Sequence, residues 1–361
     1  MGSVQSVVRR RLTAHRLAGC QFPDPAAAVA HYGAVQAQEY LASLWALGLR
    51  TANATERAIE QAIADRAIIR TWPLRRTIHY VAAADARWIL KLTAERSLRA
   101  ATRRIRELEL DDDTFRRSRE VITKALMDHE VIAREALTVL LEEAGVSTAG
   151  QQGYYILWYH AHEGLIGIGP RSGKQQAFVL LDEWLPPGLE LTRDEALAEL
   201  ARRYFTGHGP ATLVDYTWWS GLVAAEARAG LEMVKGELTK VTIDGQDYWF
   251  GATPPDNHLP TPLAHLLPVY DEYTVGYKDR SAILRPDFAA RPDSGNGIFR
   301  SPILIDGEIA GTWTRKLKKN TVDVTPNLFR PLSENEQDAF DSAVERYRAF
   351  LGLAAAVDAV S

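Results

Sequence analysis

The sequence predicts an α+β fold in which three tandem winged helix-turn-helix modules precede a small C-terminal β-barrel. Runs of amphipathic helices are closed three times over by a short two-stranded element. Asp-Gly pairs, the strongest short hairpin signal, stand at Asp244-Gly245 and Asp306-Gly307. After Gly251 the composition changes, and Pro254, Pro255, Pro260, Pro262 and Pro268 break any helix. A chain of 361 residues is long enough for several cores, so modules are expected over 1–110, 111–190, 191–252 and 253–361.

In the first module, apolar spacing places helices at Val4–Leu17, Pro25–Ala34, Leu41–Leu47 and Thr55–Ala64. Asp24 before Pro25 reads as N-cap and N1, and Asn53 three residues ahead of Glu56 resembles a capping box. Strands at Ala67–Arg70 and Arg75–Val81 flank a turn, Thr71-Trp72-Pro73-Leu74. A long basic helix, Asp85–Glu107, leads to helices at Thr114–Met127, Ala133–Glu143 and Gly150–His162, with Gly145 as a C-cap. Strands Leu165–Ile168 and Gln175–Leu181 then enclose the basic turn Gly169–Lys174. The third module opens at Thr192, with Glu195 as capping-box partner, and runs through helices Arg193–Phe205, Leu213–Ser220 and Val223–Ala229. It closes with strands Thr239–Ile243 and Asp247–Phe250. Downstream, strands are expected at Leu266–Tyr270, Pro302–Ile305, Glu308–Thr314 and Asn320–Val324, followed by a helix from Glu334 to Leu351 capped by Ser333.

The composition, 46% hydrophobic and 24% charged, argues against extensive disorder and against a membrane protein. No apolar run reaches the roughly twenty residues of a spanning helix, and the N-terminus lacks the apolar core of a secretory signal, so the cytoplasm is expected. The single cysteine, Cys20, excludes an internal disulfide framework and a cysteine-based metal cluster. The net charge of −4 hides an uneven distribution. Arg9, Arg10, Arg11 and Arg16 stand in an N-terminal stretch without acids. From Arg66 to Arg106, eleven basic residues face only Asp85 and Glu95, and Arg315, Lys316, Lys318 and Lys319 form a third cluster. Three basic clusters in an acidic chain point to a polyanion partner.

Three constellations offer chemistry and fail on spacing. GIGPRSGKQ (167–175) has the wrong glycine spacing for a phosphate loop and Gln175 where a magnesium-binding hydroxyl is required. His160 and His162 point about 200° apart on a helix, so packing or capping is their expected role. Asp271, Glu272 and Asp279, beside Lys278 and Arg280, read better as an internal salt-bridge network than as a nuclease metal cluster.

Gln36-Ala37-Gln38 means little by itself, since glutamines near a helix start usually cap or solvate backbone. However, VQAQEYLASLWALGLR, RTWPLRRTIHYVAAADARWIL, RRYFTGHGPATLVDYTWWSGL and LLPVYDEYTVGYKDRS, in this order along the chain, resemble the successive signature blocks of the AlkZ/YcaQ-type winged-helix DNA glycosylases. That resemblance implies a C-shaped arrangement of three winged-helix modules and a barrel. It also implies a catalytic Gln-x-Gln element, carried here by Gln36 and Gln38, with neither metal nor organic cofactor. By the same resemblance, Gln38 makes the chain look like the branch associated with unhooking interstrand crosslinks and with self-resistance to DNA-alkylating natural products. Ala37 departs from the larger apolar residue usual there, which would widen the lesion pocket. Glu39 is an alternative base. The expected partner is duplex DNA containing alkylated purines, bound by a monomer. Arg75, Arg76, Arg171, Lys174, Lys278, Arg280, Arg315, Lys316, Lys318 and Lys319 are the candidate phosphate contacts. A non-enzymatic winged-helix regulator and a nuclease are the competing readings.

Overall fold

The computed structural model describes residues 4–252 and 261–353. The expected break at Pro254, Pro255 and Pro260 lies outside them. The chain folds as mixed helix and sheet in two compact units, one built from Met1–Ile59 with Ala198–Ser361, the other from Glu60–Leu197.

In the Glu60–Leu197 unit, antiparallel pairings run in the order Thr77–Ala82, Ile68–Leu74, Ile166–Ile168, Ala177–Leu180, Ile132–Ala133. Three longer helices, Ala86–Glu107, Asp112–Asp128 and Gln152–His162, cover these strands. The first hairpin corrects the expected turn. Thr71, Trp72 and Leu74 are buried and prolong the strand, and a register shift between Thr71 and Leu74 absorbs Pro73. The reversal falls at Arg75 and Arg76, both at positive φ (49° and 62°). Burial of the Trp-Pro segment outweighs its turn-like composition. The loop 169–174 joins two antiparallel strands and does not lead into a helix, as a phosphate loop would. His160 lies 2.8 Å from the Ser118 hydroxyl, and the His162 ring lies tilted against Trp158 at 3.9 Å while its Nδ1 lies 2.9 Å from the Trp158 carbonyl, so both histidines are packing residues.

The chain opens with helices Val4–Ala14, Pro25–Tyr32 and Tyr40–Gly48 of the other unit, and the division between the units falls within a fourth, Glu56–Ala64. The Asp24 cap is present, its carboxylate accepting from the Ala27 amide at 2.8 Å. The cap of the fourth helix is Thr55, which receives the Ala58 amide, while Asn53 sits in the left-handed region. Helices Arg193–His208, Leu213–Ser220 and Ala224–Val234 precede the Thr239–Ile243/Gln246–Phe250 hairpin, with Asp244 and Gly245 at its tip. The C-terminal strands run Val322–Leu328, Glu308–Leu317, Ser301–Ile305, Ala264–Leu266, all antiparallel. That linear order leaves the sheet open, so the expected barrel is present as a half-barrel. The Glu334–Phe350 helix, started by a Ser333/Glu336 capping box, packs on its Ala264–Leu266 edge. The same helix meets Tyr40–Gly48, where Trp45 lies 5.0 Å from the rings of both Tyr347 and Phe350. Gly48 is required there, because a Cβ would stand 2.4 Å from the Phe350 ring.

A polar network runs through the core of this unit. Arg50 is 1% exposed and grips Asp271 with two hydrogen bonds of 2.9 and 2.7 Å, while donating further to the Tyr32 hydroxyl and the Ala46 carbonyl. Tyr32 donates to the His15 carbonyl, His15 Nε2 lies 2.8 Å from the Tyr277 hydroxyl, and Tyr277 donates to the His208 carbonyl. Arg11, from the N-terminal basic cluster, belongs here as well. It is 2% exposed, lies over the Tyr277 ring and donates to the Pro210 carbonyl, so it is a packing cation rather than a surface charge.

Breaking one side of a buried, fully bonded ion pair leaves the other charge uncompensated, which costs about 3–5 kcal/mol. Asp271→Asn is therefore expected to lower the free energy of urea unfolding by that amount. Acid should act on the same unit. Burial drives His15 well below its ordinary value, His31 down to about 4 and His265 to about 3. The unfolded chain then binds more protons than the folded one below an ordinary histidine value near 6.5. Stability should be flat from about pH 7 to about pH 9 and fall as pH drops from about 6.5 towards 4, measured as urea midpoints at pH 7.5 and 5.

Candidate active site

The Gln-Ala-Gln element lies where one helix hands over to the next. Gly33, at φ 80°, ends the Pro25–Tyr32 helix, its amide bonding to the Ala30 and Val29 carbonyls. The chain then runs extended through Val35–Gln36. Gln36 is 8% exposed, Ala37 fully buried and Gln38 exposed. The Ala37 methyl is packed away from solvent. Glu39 caps the next helix, accepting the Ala42 amide at 2.6 Å. This bond occupies one of its oxygens and fixes its direction.

The Gln36 peptide is held from behind by Glu272, a carboxylate 1% exposed. Its Oε1 accepts the Gln36 amide at 2.7 Å. Its Oε2 lies 3.0 Å from His208 Nε2 and accepts the Trp219 indole N–H at 3.0 Å. Three segments therefore converge on one side chain: the Gln36 strand, the end of the Arg193–His208 helix and the Leu213–Ser220 helix. Neighbouring Asp271, besides holding Arg50, caps the short Glu272–Val275 helix by accepting the Tyr273 amide at 2.9 Å. The expectation that Asp271 and Glu272 serve an internal bonding network is met. Asp279 instead accepts the Ser281 amide in a local turn. Among the described residues, no group of three or more His, Cys, Asp and Glu side chains could hold a metal ion.

Close to Glu39, a cavity of about 100 Å³ is lined by Ala42, Trp45, Ser301, Trp313 and Arg315. Arg315 thus shares a cavity with Glu39, with its guanidinium donating to the Tyr347 hydroxyl. Lys316 is exposed on the same strand, and Lys318 and Lys319 are exposed in the following turn, where Lys318 pairs with Asp323 at 2.7 Å. Lys278 is exposed and lines a second cavity of about 320 Å³ with Trp218 and Arg228. Arg280 is half-buried and donates to the Tyr277 carbonyl at 2.8 Å. In the Glu60–Leu197 unit, Arg75 and Arg76 form a hairpin tip, and Arg171 and Lys174 share a loop in which Arg171 donates to the Lys174 carbonyl. Arg76, Lys174, Lys278, Lys316, Lys318 and Lys319 are the exposed members of the set, and Arg75, Arg171, Arg280 and Arg315 are half-buried.

Sequence reading missed His208 and Trp219 as partners of the Gln36 strand. Both lie within the block RRYFTGHGPATLVDYTWWSGL that carries the family resemblance, but their meeting with Glu272 is a product of the fold.

No helix among the described residues is long and apolar enough to cross a membrane. A curated relative from Streptomyces sahachiroi, named an interstrand DNA cross-link repair glycosylase, is 24% identical over 352 residues, covering 88% of this chain and 89% of the relative. The solved structure of the Streptomyces sahachiroi DNA glycosylase AlkZ superposes with a TM-score of 0.77 at 20% identity, covering 98% of this chain and 97% of that one, a likeness of fold. The sequence model of the AlkZ-like DNA glycosylases matches residues 29–350, nearly the whole chain, and this protein belongs to that family.

Proposed function

We propose that this chain is a monofunctional DNA glycosylase that hydrolyses the N-glycosidic bond of N7-alkylated purines in duplex DNA, including bulky adducts and interstrand crosslinks. The observation that carries the reading is that Gln36 ends a short strand and Gln38 lies in the bend that follows it, Gln38 exposed at the protein surface and Gln36 anchored through its peptide to a buried carboxylate. The relative named for interstrand cross-link repair supports the crosslink part of the proposal. The three helix-and-hairpin runs read as winged-helix modules, their hairpins as probes of the DNA grooves, and the protein as a cytoplasmic monomer serving repair or self-resistance.

The chemistry suits mild residues. A guanine alkylated at N7 is already cationic, so when the bond from C1′ to N9 breaks, its electron pair neutralises the purine ring. A water then bonds to C1′ and releases a proton to solvent, leaving an abasic site and a free neutral base. No strong acid is needed for such a leaving group. The residual task is to hold one water against a sugar of oxocarbenium character, as in other glycoside hydrolyses. A glutamine amide offers two donors and two acceptor sites for this. Gln38 positions water and sugar, while Gln36 orients Gln38 or polarises the water. Arg75, Arg76, Arg171, Lys174, Lys278, Arg280, Arg315, Lys316, Lys318 and Lys319 contact phosphates. Arg315 is the member beside Glu39.

Gln36→Ala and Gln38→Ala should each slow release of N7-methylguanine from a duplex by about 100-fold or more while leaving duplex affinity within about two-fold. The assay is run in EDTA and read as alkali-labile sites. Release at the wild-type rate in both variants discards the assignment, and loss of wild-type activity in EDTA points to a metal-dependent nuclease. Glu39→Gln belongs in the same series and should retain activity if its role is the helix cap. Each phosphate contact removed should flatten the dependence of log affinity on log salt by about 0.9. The triple variant Lys316→Ala, Lys318→Ala, Lys319→Ala is therefore expected to reduce the slope by about 2–3, read by anisotropy titrations across salt concentrations.

A further inference from the structure

Glu272 is a carboxylate almost without access to water, 1% exposed. Three donors that meet it are the indole of Trp219 and the imidazole of His208, both from helices, and the main-chain N–H of Gln36. The approach of His208 is built for. A Cβ on Gly276 would stand 2.5 Å from the His208 ring and 2.6 Å from the Glu272 carbonyl. In the tautomer with its proton on Nε2, His208 donates to the same oxygen that accepts from Trp219. These three partners then act as donors, matching the acceptor-only inventory of an ionised carboxylate. Burying such a group is costly, and replacing a buried polar cluster with apolar packing is often neutral or stabilising. Stability alone therefore does not account for a carboxylate here.

We infer that Glu272 is a positioning residue for glycosidic-bond hydrolysis: its buried carboxylate fixes the Gln36 peptide against two helices and so sets where the Gln36 and Gln38 amides stand. The inference rests on the proposed role of these amides and names the group that holds them. The consequence is mechanical and electrostatic. The strand is only two residues long and lies between helices, so a charge-assisted bond to its amide contributes to holding its place, and errors near 1 Å cost large factors in rate. The same bond polarises the peptide ahead of Gln36 and brings buried negative charge towards the segment that faces a sugar developing positive charge.

The test is Glu272→Gln in the full-length protein, with single-turnover release of N7-methylguanine, duplex affinity and hydrogen exchange of the segment containing Gln36 all measured beside Gln36→Ala. Glutamine keeps the shape but turns a donor towards Trp219 and His208. The expected result is release slowed between about 10-fold and 100-fold, affinity within about two-fold, and faster exchange at the Gln36 amide. Wild-type release by Glu272→Gln beside a slow Gln36→Ala overturns the inference and leaves the assignment of the amides standing. Wild-type release by both variants overturns the two together. Parallel loss of release and affinity identifies a purely structural carboxylate and also overturns it. If Glu272→Gln does not fold, Trp219→Phe, which removes one donor and keeps an aromatic ring, is read by the same three measurements, and the same results support or overturn the inference.

Discussion

Two adjacent buried carboxylates, Asp271 and Glu272, tie together segments that lie far apart in the chain. Asp271 neutralises Arg50 at the end of the helix that follows the Gln-Ala-Gln element, and Glu272 accepts the amide of Gln36 within it. One dipeptide thereby grips both sides of the same stretch of chain. Neither ion could be buried alone, because removing a carboxylate from water costs several kcal/mol unless its acceptors are filled. Here the partners come from residues 36–50 and from residues 208–219, so the pair forms only when those parts have assembled. The local order of Gln36 is therefore a product of the whole unit.

The electrostatics separate into buried and exposed cations. Arg11, Arg50 and Arg70 are enclosed in packing, each less than 3% exposed, and belong to the architecture. Arg76, Lys174, Lys278, Lys316, Lys318 and Lys319 are exposed at turns and strand ends, where a phosphate could reach them. A net charge of −4 is thus compatible with local positive surfaces, since the acids are distributed elsewhere, many in pairs within single helices such as Arg116 with Asp113 and Glu120. Charge counted along the sequence overstates the surface wherever an arginine is drawn into the core.

Much of the fold was legible from local rules. The Leu213–Ser220 helix and the Thr239–Ile243 strand fall where periodicity and the Asp-Gly turn put them, and Asp24, Thr192 and Ser333 cap as their side-chain chemistry requires. The misses share a cause. Thr71-Trp72-Pro73-Leu74 looked like a turn because of its proline, yet burial of Trp72 and Leu74 kept it in the strand and moved the reversal to two arginines. Asn53 looked like a cap because of its spacing from Glu56, yet Thr55 stands closer to the helix start. In each case a nearby alternative satisfied the same local rule, and packing chose between them.

The sequence by itself determined the helix and strand types, the order of the signature blocks that mark the family, and the candidacy of Gln36 and Gln38. Those properties depend on side-chain chemistry read over a few residues. Only the tertiary structure decided that Ala37 is buried while Gln38 is exposed, that Arg315 comes beside Glu39, and that Glu272, His208 and Trp219 meet behind Gln36. These are contacts between residues separated by dozens to hundreds of positions, and no periodicity or spacing encodes them. They follow from the requirement that every buried donor and acceptor find a partner somewhere in the folded chain.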